Sequence, residues 1–245
     1  MSHHCCFASA EVERLLAANG LRDLEAAFRV GEPLDDLHEA RARRHEFKRV
    51  FKFDLNGPEG VTRVYIKRQW RRERWLPRPT DIRHRIAVKC SPIHEWRGLR
   101  ILQNAGFFAA EPLALFWRGW GFSRGAVVTR AVPPRVSLAD LILSGEFEAM
   151  APERRNPMIE AAANVIARLH RTHISWRSMK AKHFYPEEIA PGTWRIWLID
   201  CEGVCRRATR RDCQREWRAF LKYIAARAPA LREAFLAAYS LSLNV

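Results

Sequence analysis

Residues 174–184 read ISWRSMKAKHF. Within them Arg177 precedes Ser178, Lys180 follows two positions later, and His183 five positions later. A loop that transfers a phosphoryl group needs a cation near the migrating phosphate, a ligand near the metal and a carboxylate beside the attacking hydroxyl. Lys180 and His183 have the residue types for the first two tasks. The third position, where such a loop carries Asp, holds Ser178, whose hydroxyl cannot take a proton at neutral pH. The stretch is either a phosphotransferase loop without its base or an ordinary basic turn.

Other residues could share that chemistry. Lys67 lies in RVYIKR, with apolar residues at alternate positions, so it can point inward from a sheet; a Lys facing water from an edge strand fits the same pattern. Glu95, Leu99 and Leu102 follow the i, i+4, i+7 spacing of one helical face. A carboxylate on an apolar face needs a partner, because burying it alone is costly. Lys67 can be that partner, although a first-turn Glu is also favoured by the helix dipole alone. Asp200 ends the apolar run WLI and is followed by Glu202 and Gly203. A carboxylate at a strand end can hold Mg²⁺ bound to phosphates, and it can equally form a turn.

Positioning these residues requires elements that the sequence marks out. The first thirty residues read as helix broken at Gly20, with His3, His4, Cys5 and Cys6 as a frayed end rather than a metal trap. EFKRVFKFDL and VTRVYIKRQW alternate around the turn NGPEG and predict a β-hairpin. A basic connection with Pro77 and Pro79 follows. SPIHEWRGLRILQNAGF predicts a helix capped by Ser91 and ended at Gly106. Two strands with a Gly-containing turn, a connector PPRVSLADLI, and a helix through Met158, Ala162, Val165 and Leu169 come next. After the loop, WRIWLIDCEGV predicts a strand ending at an acid, and the rest from Arg211 predicts helices. The expected class is α+β with two lobes. Residues 1–130 form a small β-rich lobe and residues 131–245 a mainly helical one, joined near 129–136.

Composition narrows the partners. The chain has 245 residues, 48% of them hydrophobic, enough for real cores. Its 42 Lys and Arg against 27 Asp and Glu leave a formal charge of +15, which asks for an anionic partner: nucleic acid, an acidic membrane surface or a phosphorylated substrate. One basic cluster spans 63–85 and a second spans 206–218. The six Cys form no CxxC pair, so a zinc site is not expected, and reduced thiols in a cytosolic protein fit best. No apolar run reaches the ~18 residues of a membrane span, and acidic residues interrupt the start where a signal peptide needs an apolar core. A cytoplasmic protein is the expectation. Nine Trp could stack on bases, but no zinc-finger spacing or RNA-binding strand signature accompanies them, so a nucleic-acid module rests on charge alone.

The order is strand Lys67, helix Glu95, loop with Ser178, Lys180 and His183, then strand-ending Asp200. This is the order of parts in the protein-kinase-like fold. VYIKR, HEWRGLRILQNAGF, VVTRAVPPRVSLADLI, ARLHRTHISWRSMKAKHF and WLIDCEGVCRR together resemble segments of the lipopolysaccharide core kinases, the Kdo/WaaP group. The resemblance implies an ATP-dependent kinase acting on inner-core sugars, heptose or Kdo, peripheral on the cytoplasmic face of the inner membrane. It implies that Lys67 contacts the nucleotide phosphates and Glu95 holds it. Asp200 and His183 would bind Mg²⁺, with Lys180 near the γ-phosphate. No protein-kinase-type glycine-rich loop is present, and the turn at 57–60 is a candidate cover. Where the family has His-Arg-Asp, this chain has Trp176-Arg177-Ser178. A pseudokinase that binds nucleotide or lipopolysaccharide without transfer is the alternative that follows. Either way, Lys67 and Asp200 are expected to grip one triphosphate.

Overall fold

Twelve-residue strands dominate the first part of the chain because β-branched and aromatic residues alternate on both sides of a tight turn. A computed structural model describes residues 3–34, 46–71, 91–118 and 124–243. The expected hairpin forms from β3 (Glu46–Gly57) and β4 (Gly60–Arg71), antiparallel, with Val50 opposite Lys67 and Gly57 opposite Gly60. Gly60 has a φ of 107°, which a residue with a Cβ rarely adopts. The chain forms two compact units, one of Met1–Trp96 and Glu111–Ala131, the other of Arg97–Ala110 and Val132–Val245.

The first unit is built on a six-stranded antiparallel sheet of order β1-β5-β6-β4-β3-β2. Its remaining strands are β1 (His3–Phe7), β2 (Glu32–Pro33), β5 (Pro112–Arg118) and β6 (Arg124–Arg130). The start of the chain is thus not frayed: His3 to Phe7 pair with Arg118 to Ala114, and backbone pairing overrides a polar sequence without strand propensity. Helices α1 (Ala10–Ala18) and α2 (Leu24–Ala27) follow, capped by Ser9 and Asp23. Leu16, Leu21, Leu24, Val64, Ile66 and Phe116 are fully buried between them and the sheet.

Helix α3 (Ser91–Asn104) begins in the first unit and continues in the second. Ile93 and Trp96 pack with Leu115 and Val127 of the sheet, whereas Leu99 and Leu102 belong to the core of the second unit. Gly106, at a φ of 75°, closes the helix as its sequence predicts, with Phe107 N–H donating to the Leu102 carbonyl. The basic connection 72–90 with Pro77 and Pro79, the capping side chain of Ser91 and the Gly-containing turn 119–123 lie outside the described residues.

The second unit is mainly helical. It contains α4 (Leu138–Leu143), α5 (Glu146–Ala149), α6 (Pro152–Arg171), α7 (Arg210–Arg227) and α8 (Arg232–Leu243). Ser137 and Asp140 form a reciprocal capping box on α4, and Thr209 and Asp212 do the same on α7. Two short sheets complete it: β7 (Ile174–Trp176) with β10 (Val204–Arg206), and β8 (Phe184–Ala190) with β9 (Thr193–Leu198). The strand β8 was not legible, because FYPEEIA carries Pro and two charges and lacks clean alternation. Among the described residues no helix is long and apolar enough to cross a membrane.

Candidate functional site

In the first unit, Lys67 Nζ lies 3.0 Å from Glu95 Oε2. The pleat of β4 explains the approach. Ile66 is fully buried on one face, so Lys67 projects to the other, where its side chain is 19% exposed and that of Glu95 4%. α3 supplies the carboxylate from its first turns, next to the buried Trp96. The strand Lys therefore points inward and the helix Glu is its partner.

In the second unit, the loop runs from β7 through Ser178 and Lys180 into the 3-10 turn Ala181–His183. His183 N–H donates to the Lys180 carbonyl, which closes that turn. The His183 ring is buried and stacks on Trp176 at a centroid distance of 5.6 Å. Its Nε2 lies 3.2 Å from Asp200 Oδ2, yet both ring nitrogens are buried without a hydrogen-bond partner. Asp200 sits two residues past the end of β9, at a φ of 57°, in a left-handed conformation that Asp tolerates better than most side chains. Its side chain is 34% exposed. An imidazole nitrogen and a carboxylate oxygen this close could ligate one cation together. Among the described residues no group of three or more His, Cys, Asp or Glu could hold a metal. A cation here would draw its other ligands from phosphate and water, which is how Mg²⁺ is ordinarily held.

Ser178 is not placed like a base. Its Oγ is buried and has no hydrogen-bond partner, and it faces Gly203, which follows Asp200 in the segment DCEG. Arg177 N–H donates to the Gly203 carbonyl, tying the loop to that segment. Lys180 is exposed.

Sequence reasoning missed Glu216. This buried residue of α7 accepts from Ser175 Oγ at 2.5 Å and from the Trp176 backbone N–H at 3.0 Å, so it holds β7 and the entrance to the loop. The His170 ring lies 3.7 Å from it and shares a 2.7 Å hydrogen bond with the Tyr239 hydroxyl. Burial raises the Glu216 pKa, but His170, Ser175 and the Trp176 N–H together outweigh it and hold the carboxyl below its ordinary value. Burial, reinforced by Cys213 and Glu216 nearby, pushes the Tyr239 phenol up to about 12. The signal was available: Glu216 and Phe220 share a face at i, i+4, the pattern that singled out Glu95 with Leu99.

The sequence matches the model of the lipopolysaccharide kinase (Kdo/WaaP) family over residues 31–239, most of the chain. The chain belongs to that family. No curated protein matches it. Among solved structures it is similar to WaaP in complex with acyl carrier protein, at 18% identity and a TM-score of 0.67, covering 97% of this chain and 89% of that one. The fold of this lipopolysaccharide kinase family member is accordingly the α+β, two-lobed protein-kinase-like fold. A kinase family implies ATP as phosphoryl donor. This chain carries Trp176 and Ser178 where the resemblance led to the expectation of His and Asp.

Proposed function

We propose that this protein uses ATP to phosphorylate an inner-core sugar, heptose or Kdo, of lipopolysaccharide while resting on the cytoplasmic face of the inner membrane. The observation that carries the reading is the Lys67–Glu95 pair at 3.0 Å, because it fixes an ammonium for phosphate binding on a strand. Glu95 holds Lys67 in place, and Lys67 neutralises nucleotide phosphate charge. Asp200 and His183 would hold Mg²⁺, which when bound supplies charge neutralisation between the phosphates. Lys180, exposed on the loop, places a further cation for the transferring group.

The lack of a carboxylate at position 178 limits the rate. Phosphoryl transfer passes through a loose transition state, so positioning and charge supply most of the acceleration. Loss of a general base costs on the order of 10²–10⁴-fold in rate without removing nucleotide binding. The buried, unpartnered Ser178 Oγ favours a second reading, in which the protein binds nucleotide or lipopolysaccharide and transfers nothing.

The test is transfer of label from radiolabelled ATP, with Mg²⁺, to dephosphorylated core lipopolysaccharide. The native protein, Ser178→Asp and Asp200→Ala are run side by side. Transfer by the native protein but not by Asp200→Ala supports the kinase reading. Transfer by Ser178→Asp alone supports the second. Failure of all forms to bind ATP sinks the phosphate-site assignment.

A further inference from the structure

Arg211, Arg215, Arg218 and Lys222 recur on α7 at alternating steps of four and three residues, so they share one helical face over about 16 Å. All of them are exposed. The opposite face of α7 is buried: Glu216, Trp217, Phe220, Leu221 and Ile224. The only acidic residue on the turns between Arg210 and Lys222 apart from buried Glu216 is Asp212, which engages Arg215 at 2.6 Å. Arg206, Arg207 and Arg210 extend the exposed cations towards β10, where Arg206 pairs with Ile174 at the start of the candidate loop.

We infer that this row docks the protein on an anionic phospholipid surface, with the loop end of the second unit presented to glycolipid headgroups. The choice of a lipid surface rests on the lipopolysaccharide kinase reading proposed above. The row's chemistry supports it independently. Protein interfaces centre on buried aromatic or apolar anchors, and the exposed neighbours of the row are Gln214, Ala219 and Ala226. Single-stranded nucleic acid is held by aromatic stacking as well as by charge, and no aromatic residue lies exposed along this face. Nor is any large apolar side chain exposed on α7 for insertion into a bilayer. A straight row of solvated cations with small flanking side chains fits a plane of phosphates. Attachment through it is electrostatic and is reversed by salt.

The experiment is flotation of the full-length protein with vesicles of phosphatidylcholine containing phosphatidylglycerol, and with vesicles of phosphatidylcholine alone, without nucleotide or glycolipid. Native protein should float with the anionic vesicles only, and less as salt rises. The variant Arg211→Ala, Arg218→Ala, Lys222→Ala should partition more weakly by on the order of a hundredfold, roughly fivefold per cation. A matched variant, Arg14→Ala, Arg49→Ala, Arg135→Ala, removes the same charge from exposed positions elsewhere and should float like the native protein. Equal loss in both variants, no loss in the α7 variant, no native flotation, or displacement of native protein by duplex DNA each overturns the inference. Thermal melting confirms that both variants are folded. Label transfer is read separately, so vesicle binding without transfer counts against the kinase reading alone, and transfer without vesicle binding counts against the row alone.

Discussion

Gly203 passes so close to Ser178 that a Cβ on it would come within 2.7 Å of the Ser178 Oγ and 3.0 Å of its backbone nitrogen. The segment carrying Asp200 and the loop carrying Ser178 are thus packed backbone to backbone. The serine hydroxyl is confined in that contact with nothing to bond.

A confined, unbonded hydroxyl contributes nothing to transfer and costs a little stability. Ser178→Ala should leave the transfer rate unchanged within error and stabilise the protein by up to about 1 kcal/mol in denaturant melts. Ser178→Asp should raise the rate by on the order of 10²–10⁴-fold if a base is what the loop lacks. It should cost about 1–3 kcal/mol, because the larger side chain must turn away from Gly203. A Ser178→Ala variant that loses most of its activity would show that the hydroxyl takes part after all.

The Lys67–Glu95 pair has a separate signature in nucleotide binding. Lys67→Met keeps the aliphatic stem and removes the ammonium, so ATP affinity should fall at least tenfold, and the melting temperature should also fall because buried Glu95 loses its Lys67 ion pair. Glu95→Gln should weaken ATP binding less, since Lys67 remains but is no longer held at 3.0 Å. A double-mutant cycle on ATP affinity should return a coupling of about 1–3 kcal/mol. Additivity of the single changes would mean that the pair has no bearing on the nucleotide.

Much of this arrangement was legible in the sequence. The hairpin around NGPEG, Glu95 on an apolar helical face and the αL ending at Gly106 each follow from local patterns with a period or a required φ, whereas alternation allowed Lys67 to point inward without deciding it. Strand β1 and strand β8 were not, because their pairing is decided by long-range partners: His3–Phe7 by β5, and Phe184–Ala190 by β9. Asp200 was placed at a strand end from its apolar lead-in, but its left-handed backbone and its closeness to His183 depend on tertiary packing that no spacing rule reports. Glu216 obeyed the same rule as Glu95 and was passed over for want of a recognisable partner; its partners are backbone and serine, which leave no trace in composition.

Glu216 gives a pH dependence with a definite sign. Its folded-state pKa lies below the ordinary 4.5, so the stability it contributes is fully present above that value. It is lost as pH falls through the lowered folded value. Native protein should therefore lose stability in that acidic range, and Glu216→Gln should lose less over the same range. At neutral pH Glu216→Ala, which strips acceptors from Ser175 and the Trp176 N–H, should destabilise by about 3 kcal/mol. Identical acid profiles for native protein and Glu216→Gln would remove Glu216 from the account.

Gly98 offers the sharpest steric test. A Cβ there would meet the Cys201 carbonyl oxygen at 2.0 Å and its carbonyl carbon at 2.9 Å, both backbone atoms with no freedom to rotate aside. α3 can lie against the residue following Asp200 only because position 98 lacks a side chain. Gly98→Ala gains helix propensity of about 1 kcal/mol, so on an open helix it would stabilise. Here the clash should win, with a net loss of more than about 2 kcal/mol in chemical denaturation. Because the displaced backbone adjoins Asp200, any variant that remains folded should also need a higher Mg²⁺ concentration for half-maximal transfer. A neutral or stabilising Gly98→Ala would show that α3 and the Cys201 carbonyl are farther apart in solution than this geometry requires.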